Sequence, residues 1–127
     1  MGYTHYWKVK EVEQNKWDMF VEDLKQVFSA GSYPIAYDYD SEQPPKLDET
    51  GVRFNGIGDD GHETFMLVNE DYSFDFCKTA RKPYDLPVCI ALTLAKIHGI
   101  LGYLHTDGEF GEDNWSEAVN VIKRVVL

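Results

Sequence analysis

The residues best placed for chemistry run from Phe74 to Pro87, FDFCKTARKPYDLP, where an alternating strand feeds a basic loop into a helix start. Three of the twelve basic residues, Lys78, Arg81 and Lys82, fall within five positions there, in a chain that is otherwise acidic. Free N–H groups at a helix start and the positive end of its dipole both favour an anion, so these three cations are candidates to hold a phosphate or carboxylate. Thr79 adds a hydroxyl donor, and Cys77 beside positive charge is a candidate reactive thiol. Tyr84 and the aromatics of residues 1–7 are candidates to line a pocket nearby. The competing interpretation pairs the cations with surrounding carboxylates and leaves Asp85 capping the helix.

The other polar motifs carry less. Of the four histidines, His5 and His62 are candidate acid–base groups beside the basic loop, whereas His98 falls in an apolar helix and reads as a core residue. No two histidines stand at metal-ligand spacing, so no metal is expected, and no nucleophile elbow or other catalytic set is present. Gly56-Ile57-Gly58-Asp59-Asp60-Gly61 matches GxGxxG by letter. A β-rich segment follows it and two aspartates stand where a pyrophosphate would sit, so it reads as a hairpin turn, and no cofactor is expected. Asp38-x-Asp40-x-Glu42 hints at a calcium loop but lacks the EF-hand spacing and central glycine.

Charge singles out a second region. Residues 36–71 hold ten acidic residues against Lys46 and Arg53, a net of −8 in a chain of net −10. Asp38, Asp40, Glu42, Asp59 and Asp60 form a candidate face for a basic partner; the plainer interpretation is a solvated acidic surface. Long-range repulsion disfavours direct contact with nucleic acid or an anionic membrane. Cys77 and Cys89 cannot make a disulfide framework, and Cys89 lies in an apolar run. With no signal peptide and no apolar run long enough to span a bilayer, a reduced, cytoplasmic location is expected.

These groups must be positioned by a single domain, residues 1–127, whose length buries roughly two thirds of its unfolded surface. Aromatic residues make up 14% of the chain, which supplies a small core and a surplus for contact surfaces. Tyr3 to Val9 alternates as a first strand. Trp17, Phe20, Val21, Leu24, Val27 and Phe28 recur at helical spacing, and Gly31 stops that helix. Tyr33 to Tyr39 reads as a strand, Ser41 to Thr50 as a loop. Val52 to Ile57 and Glu63 to Asn69 read as two strands joined by the glycine-aspartate turn. After the strand of Tyr72, Phe74 and Phe76, a helix from Val88 to about Leu101 is apolar nearly all round and should be central. Tyr103 to His105 is too short to assign. The last helix, from about Trp115 to Val126, carries Asn114 and Glu117 in a capping box. The order predicts an α+β fold, a mainly antiparallel sheet of about four to five strands with three helices on one face.

MGYTHYW at the start, Phe54-Asn55-Gly56, HETF over residues 62–65, FDFCKTARKPYD over 74–85, and Asp107, Gly108 and Trp115 near the end together resemble a family of small, uncharacterised bacterial and phage proteins. The resemblance spans nearly the whole chain. It implies an intracellular, often phage-associated protein and carries over no catalytic residue. This chain looks like a compact version, short after Gly61 and after Glu70.

Three functional expectations follow. The first is a non-enzymatic binding protein, an anti-defence inhibitor that covers a basic nucleic-acid-binding host protein with its acidic face. The second is a nucleotide- or phosphate-binding protein or enzyme built on the Cys77–Asp85 loop with His5 or His62 nearby. The third is a structural or assembly protein that self-associates through its aromatics. The first is favoured, and with it the absence of catalysis.

Overall fold

The computed structural model describes residues 3–107 and 113–127; Met1, Gly2 and Gly108, which belong to the motifs quoted above, lie outside them. The α+β class holds: the described residues form seven antiparallel strands in two sheets, two of them only two residues long, and three helices.

The first sheet has the order β6-β1-β7, built from β1 (Thr4–Val9), β6 (Phe74–Lys78) and β7 (Leu101–Thr106). Alternation in β1 turns His5, Trp7 and Val9 inward and leaves Tyr6 and Lys8 on the outer side. The second sheet centres on β4 (Gly51–Gly56). β5 (Phe65–Val68) lies along one edge of it, and β2 (Ile35–Ala36) and β3 (Lys46–Leu47) both pair with it as well. The expected hairpin forms, with Phe54 opposite Phe65, so its connection is longer than a tight turn. That connection contains the 3-10 turn Gly58–Asp60, which needs the left-handed backbone of Gly58, φ 58°. Of the expected strand 33–39 only β2 forms, and the Pro-Pro loop contributes β3.

Helix α1 (Gln14–Ala30) buries the predicted stripe of Trp17, Phe20, Val21, Leu24 and Val27. Helix α2 (Asp85–Ile97) is the central element: Val88 to Leu92, Leu94 and Ala95 are all fully buried. Each large apolar side chain removed from water there contributes roughly 1.5–3 kcal/mol before entropy is counted. α2 packs against α1 and against α3 (Asp113–Val125). It ends earlier than its apolar run suggests. Gly99 takes φ 74°, its N–H donates to Lys96 O at 3.0 Å, and Ile100 N–H donates to Ala95 O at 2.8 Å. That is a Schellman stop, and it frees Leu101 to Thr106 to become β7, the strand that sequence reading left unassigned. Among the described residues no helix is long and apolar enough to cross a membrane.

Candidate functional site

The end of β6, the loop to α2 and the first turn of α2 bring most of the anion-site candidates into one region, in two layers. The inner layer is a buried polar cluster. His5, Thr79 and Asp85 are fully buried, and Thr106 is nearly so. His5 Nε2–H donates to Asp85 Oδ1 at 2.7 Å, and the Thr79 hydroxyl donates to the same oxygen. Asn114 Nδ2–H of α3 donates to Asp85 Oδ2 at 2.7 Å, with the Cys89 thiol 3.6 Å from that oxygen. The other ring nitrogen of His5 lies 2.8 Å from Thr106 Oγ1. Burial pushes the Asp85 carboxyl up, but the hydrogen bonds from His5, Thr79 and Asn114 outweigh it and hold the group below the usual carboxylate range. Buried charge is tolerated only when it is paired and saturated with donors, and here it is.

This arrangement differs from the sequence expectation in three respects. Asp85 does not cap α2: Tyr84 occupies the cap position without a side-chain bond, and Asp85 turns into the core. Asn114 is already inside α3, where its amide reaches Asp85. Cys77 is no reactive thiol, since it is fully buried and burial pushes it up to about 12. His5, Asp85 and Cys89 also stand close enough to be compared with a metal centre. The 2.7 Å contact between His5 and Asp85 is instead hydrogen-bond geometry.

The outer layer is a tight turn. Lys82 N–H donates to Thr79 O at 3.0 Å while Ala80 and Arg81 both take positive φ, 52° and 57°. Two successive left-handed residues without a glycine store strain, roughly 1–2 kcal/mol each. The turn persists because both flanks are fixed. Thr79 N–H donates to Tyr3 O at 3.0 Å and Thr79 is held by Asp85, while Asp85 N–H donates to Lys82 O at 2.8 Å. The turn presents three cations. The Arg81 guanidinium lies 4.0 Å over the Tyr3 ring, Lys82 Nζ donates to Asp59 O at 3.0 Å, and Lys78 is half-buried at the strand end.

His62 joins this layer from the other sheet. Its Nδ1 is 2.8 Å from Lys78 O, the neighbouring Glu63 accepts from Lys78 N–H at 2.7 Å, and the buried Tyr84 hydroxyl donates to Glu63 O at 2.6 Å. Five of the seven candidates belong to the residue 78–85 segment, and His5 and His62 are hydrogen-bonded to it, at Asp85 and at Lys78 O. His5 and Thr79 serve the inner clamp and Tyr84 is buried against Glu63 O, leaving His62, Lys78, Arg81 and Lys82 at the surface.

The acidic candidates assemble beside this turn. Gly58 N–H donates to Tyr39 O at 2.7 Å, which locks the loop of Asp38, Asp40 and Glu42 against the turn of Asp59 and Asp60. The buried Asn55 closes that turn, donating to His62 O at 2.9 Å and accepting from His62 N–H at 3.0 Å. Asp40, Glu42, Asp59 and Asp60 are exposed, whereas Asp38 is partly neutralised by Arg53 at 3.2 Å. Between them Tyr39 and Ile57 are 52% and 50% exposed. Sequence reasoning missed both apolar residues as well as Asn55 and Thr106, and gave Asp85 and Asn114 only helix-capping roles. Asn55 and Asp85 did stand in quoted motifs, and no periodic pattern marked Tyr39, Ile57 or Thr106 as site residues. The surface groove of about 290 Å³ lined by Phe28, Tyr33 and Pro44 lies away from both groups.

No protein-family model, curated protein or solved structure matches this chain.

Proposed function

We propose that the protein is a non-enzymatic binding protein that docks the acidic face of residues 38–42 and 57–60 onto a basic, nucleic-acid-binding protein and blocks it. The observation that carries this reading is the Gly58–Tyr39 hydrogen bond, which holds two separate acidic segments side by side, with Tyr39 and Ile57 exposed on them. Apolar and aromatic anchors inside a charged rim are the anatomy of a protein interface, and charge complementarity supplies rate and partner choice. The phage association and the inhibition of a host defence protein belong to the same proposal. The test uses paired baits, the wild type against Tyr39→Ala/Ile57→Ala and against Asp40→Lys/Asp59→Lys/Asp60→Lys, with captured host proteins identified by mass spectrometry. The reading requires a basic nucleic-acid-binding protein that both variants lose. Capture that neither variant alters defeats it.

A second reading, an anion site at the basic turn, is favoured by one observation: the left-handed Ala80–Arg81 pair, held in strain by the buried clamp in the same turn as Lys78 and Lys82, with His62 bonded to Lys78 O. Such strain clusters at ligand sites. A thermal-shift series with nucleotides and inorganic phosphate tests it. A rise of several degrees that Arg81→Ala/Lys82→Ala abolishes supports the site, and no rise with any anion removes it.

A further inference from the structure

The outer face of the first sheet is unlike the rest of this acidic molecule. Its outward positions are Phe74, Phe76 and Lys78 on β6, Tyr6 and Lys8 on β1, and Tyr103 and His105 on β7. The rings form a continuous row across the three strands. Phe76 lies 6.1 Å from Tyr6, Tyr6 lies 5.7 Å from His105, and His105 stacks on Tyr103 at 6.5 Å with the planes 20° apart. Phe74, Phe76 and Tyr103 are 58%, 51% and 49% exposed, although large apolar rings normally reach the core. No outward position of the three strands carries a carboxylate. Asp75 is on the opposite face, and Asp107, past the end of β7, is tied to Thr4 N–H at 3.1 Å.

We infer that this face is a stacking platform for single-stranded nucleic acid. Rows of aromatic rings on a sheet accept successive bases on their faces, and the lysines and His105 among them meet the phosphates. Charge decides between occupants. A second copy applied through the same face would bring together two surfaces that each carry Lys8 and Lys78 and offer no carboxylate from their strands, whereas a single strand neutralises them. The net charge of −10 opposes this only at long range, because at physiological ionic strength charges further than about 8 Å away are largely screened. The outward positions of the three strands, free of carboxylates, are what an incoming strand meets, with Glu63 at the β6 edge, where its carboxylate accepts from Lys78 N–H. A strand on this sheet and a basic protein on the acidic loops together fit a nucleoprotein target, yet the platform stands on its own geometry.

The experiment is fluorescence anisotropy of labelled oligothymidylate with the full chain near physiological salt, against a duplex of the same length. Saturable binding to the single strand and weaker binding to the duplex are expected. Phe76→Ala and Tyr6→Ala should each lower affinity roughly tenfold, the scale of one lost base stack. Lys8→Ala should weaken binding severalfold and flatten its salt dependence. Circular dichroism confirms that each variant is folded. No binding overturns the inference, as does equal affinity for duplex, or binding that Phe76→Ala leaves unchanged. A wild-type dimer that Phe76→Ala converts to monomer would assign the face to a second copy and overturn it too.

Discussion

The buried clamp and the acidic face use the same functional group in opposite ways. Asp85 is fully buried and meets hydrogen-bond donors from four residues on β1, α2, α3 and the loop before α2. Asp40, Asp59 and Asp60 are exposed, and their negative charge faces water. A carboxylate costs nothing to keep in water, so the exposed group is free to serve a partner. A carboxylate taken into the core is expensive unless saturated, so Asp85 must organise its surroundings. The comparison teaches that one charge type builds the scaffold in one region and an encounter surface in the next, with solvent access deciding which.

The largest effect that can break this comparison is removal of Asp85. Asp85→Ala strands His5, Thr79 and Asn114 without their acceptor and should cost about 3–5 kcal/mol, read as a lowered urea midpoint. A loss below about 1 kcal/mol would mean that the cluster is ornamental. The same contrast has a pH signature. Asp85 is held below its unfolded value of about 3.9, so across that window the unfolded chain binds more protons and stability rises with pH. The contribution is fully present above about pH 5 and is lost as pH falls through the depressed folded value. Asp85→Asn should flatten this acid limb; an unchanged limb would assign it to other carboxylates, such as Asp48, which Thr50 also holds down.

How much of this was legible in the sequence follows the range of the interactions. The stripe of α1 and the alternation of β1 are local periodicities, and both formed as read. α2 was read too long because Ile100 and Leu101 continue its apolar run, while the stop is a single left-handed glycine that looks like any other. The clamp was illegible: His5 and Asp85 are eighty positions apart, and Asp85 fitted a helix cap just as well. The outward rings of β6 carry the same alternating letters as buried ones, and only the sheet's second side reveals their exposure. The acidic surplus was plain, but its assembly depends on one backbone hydrogen bond, Gly58 to Tyr39, that no side chain announces.

The basic turn sits between the two regimes and sharpens the contrast. Ala80→Gly keeps every hydrogen bond of the turn and removes the left-handed strain at φ 52°, against a somewhat larger unfolded-state entropy. A net stabilisation of up to about 1 kcal/mol is expected from chemical denaturation. A loss of stability would show that the turn is relaxed, and the strain argument for an anion site would go with it.

The smallest effect is the most exacting test of the acidic face. Asp59→Lys with Asp60→Lys takes the net charge from −10 to −6 and should move stability by no more than about 0.5 kcal/mol. Both side chains are exposed, and the bond from Lys82 goes to the Asp59 carbonyl oxygen, so the backbone keeps it whatever the side chain. Reduced self-repulsion even predicts a slight gain at low salt, shrinking as salt screens it. Partner binding should collapse in the same variant, because the reversal turns attraction into like-charge repulsion on that face. Stability and binding must therefore separate here, whereas at Asp85 the effect is on stability. A loss above about 1.5 kcal/mol at Asp59 and Asp60 would make these carboxylates part of the scaffold and erase the distinction between the two regions.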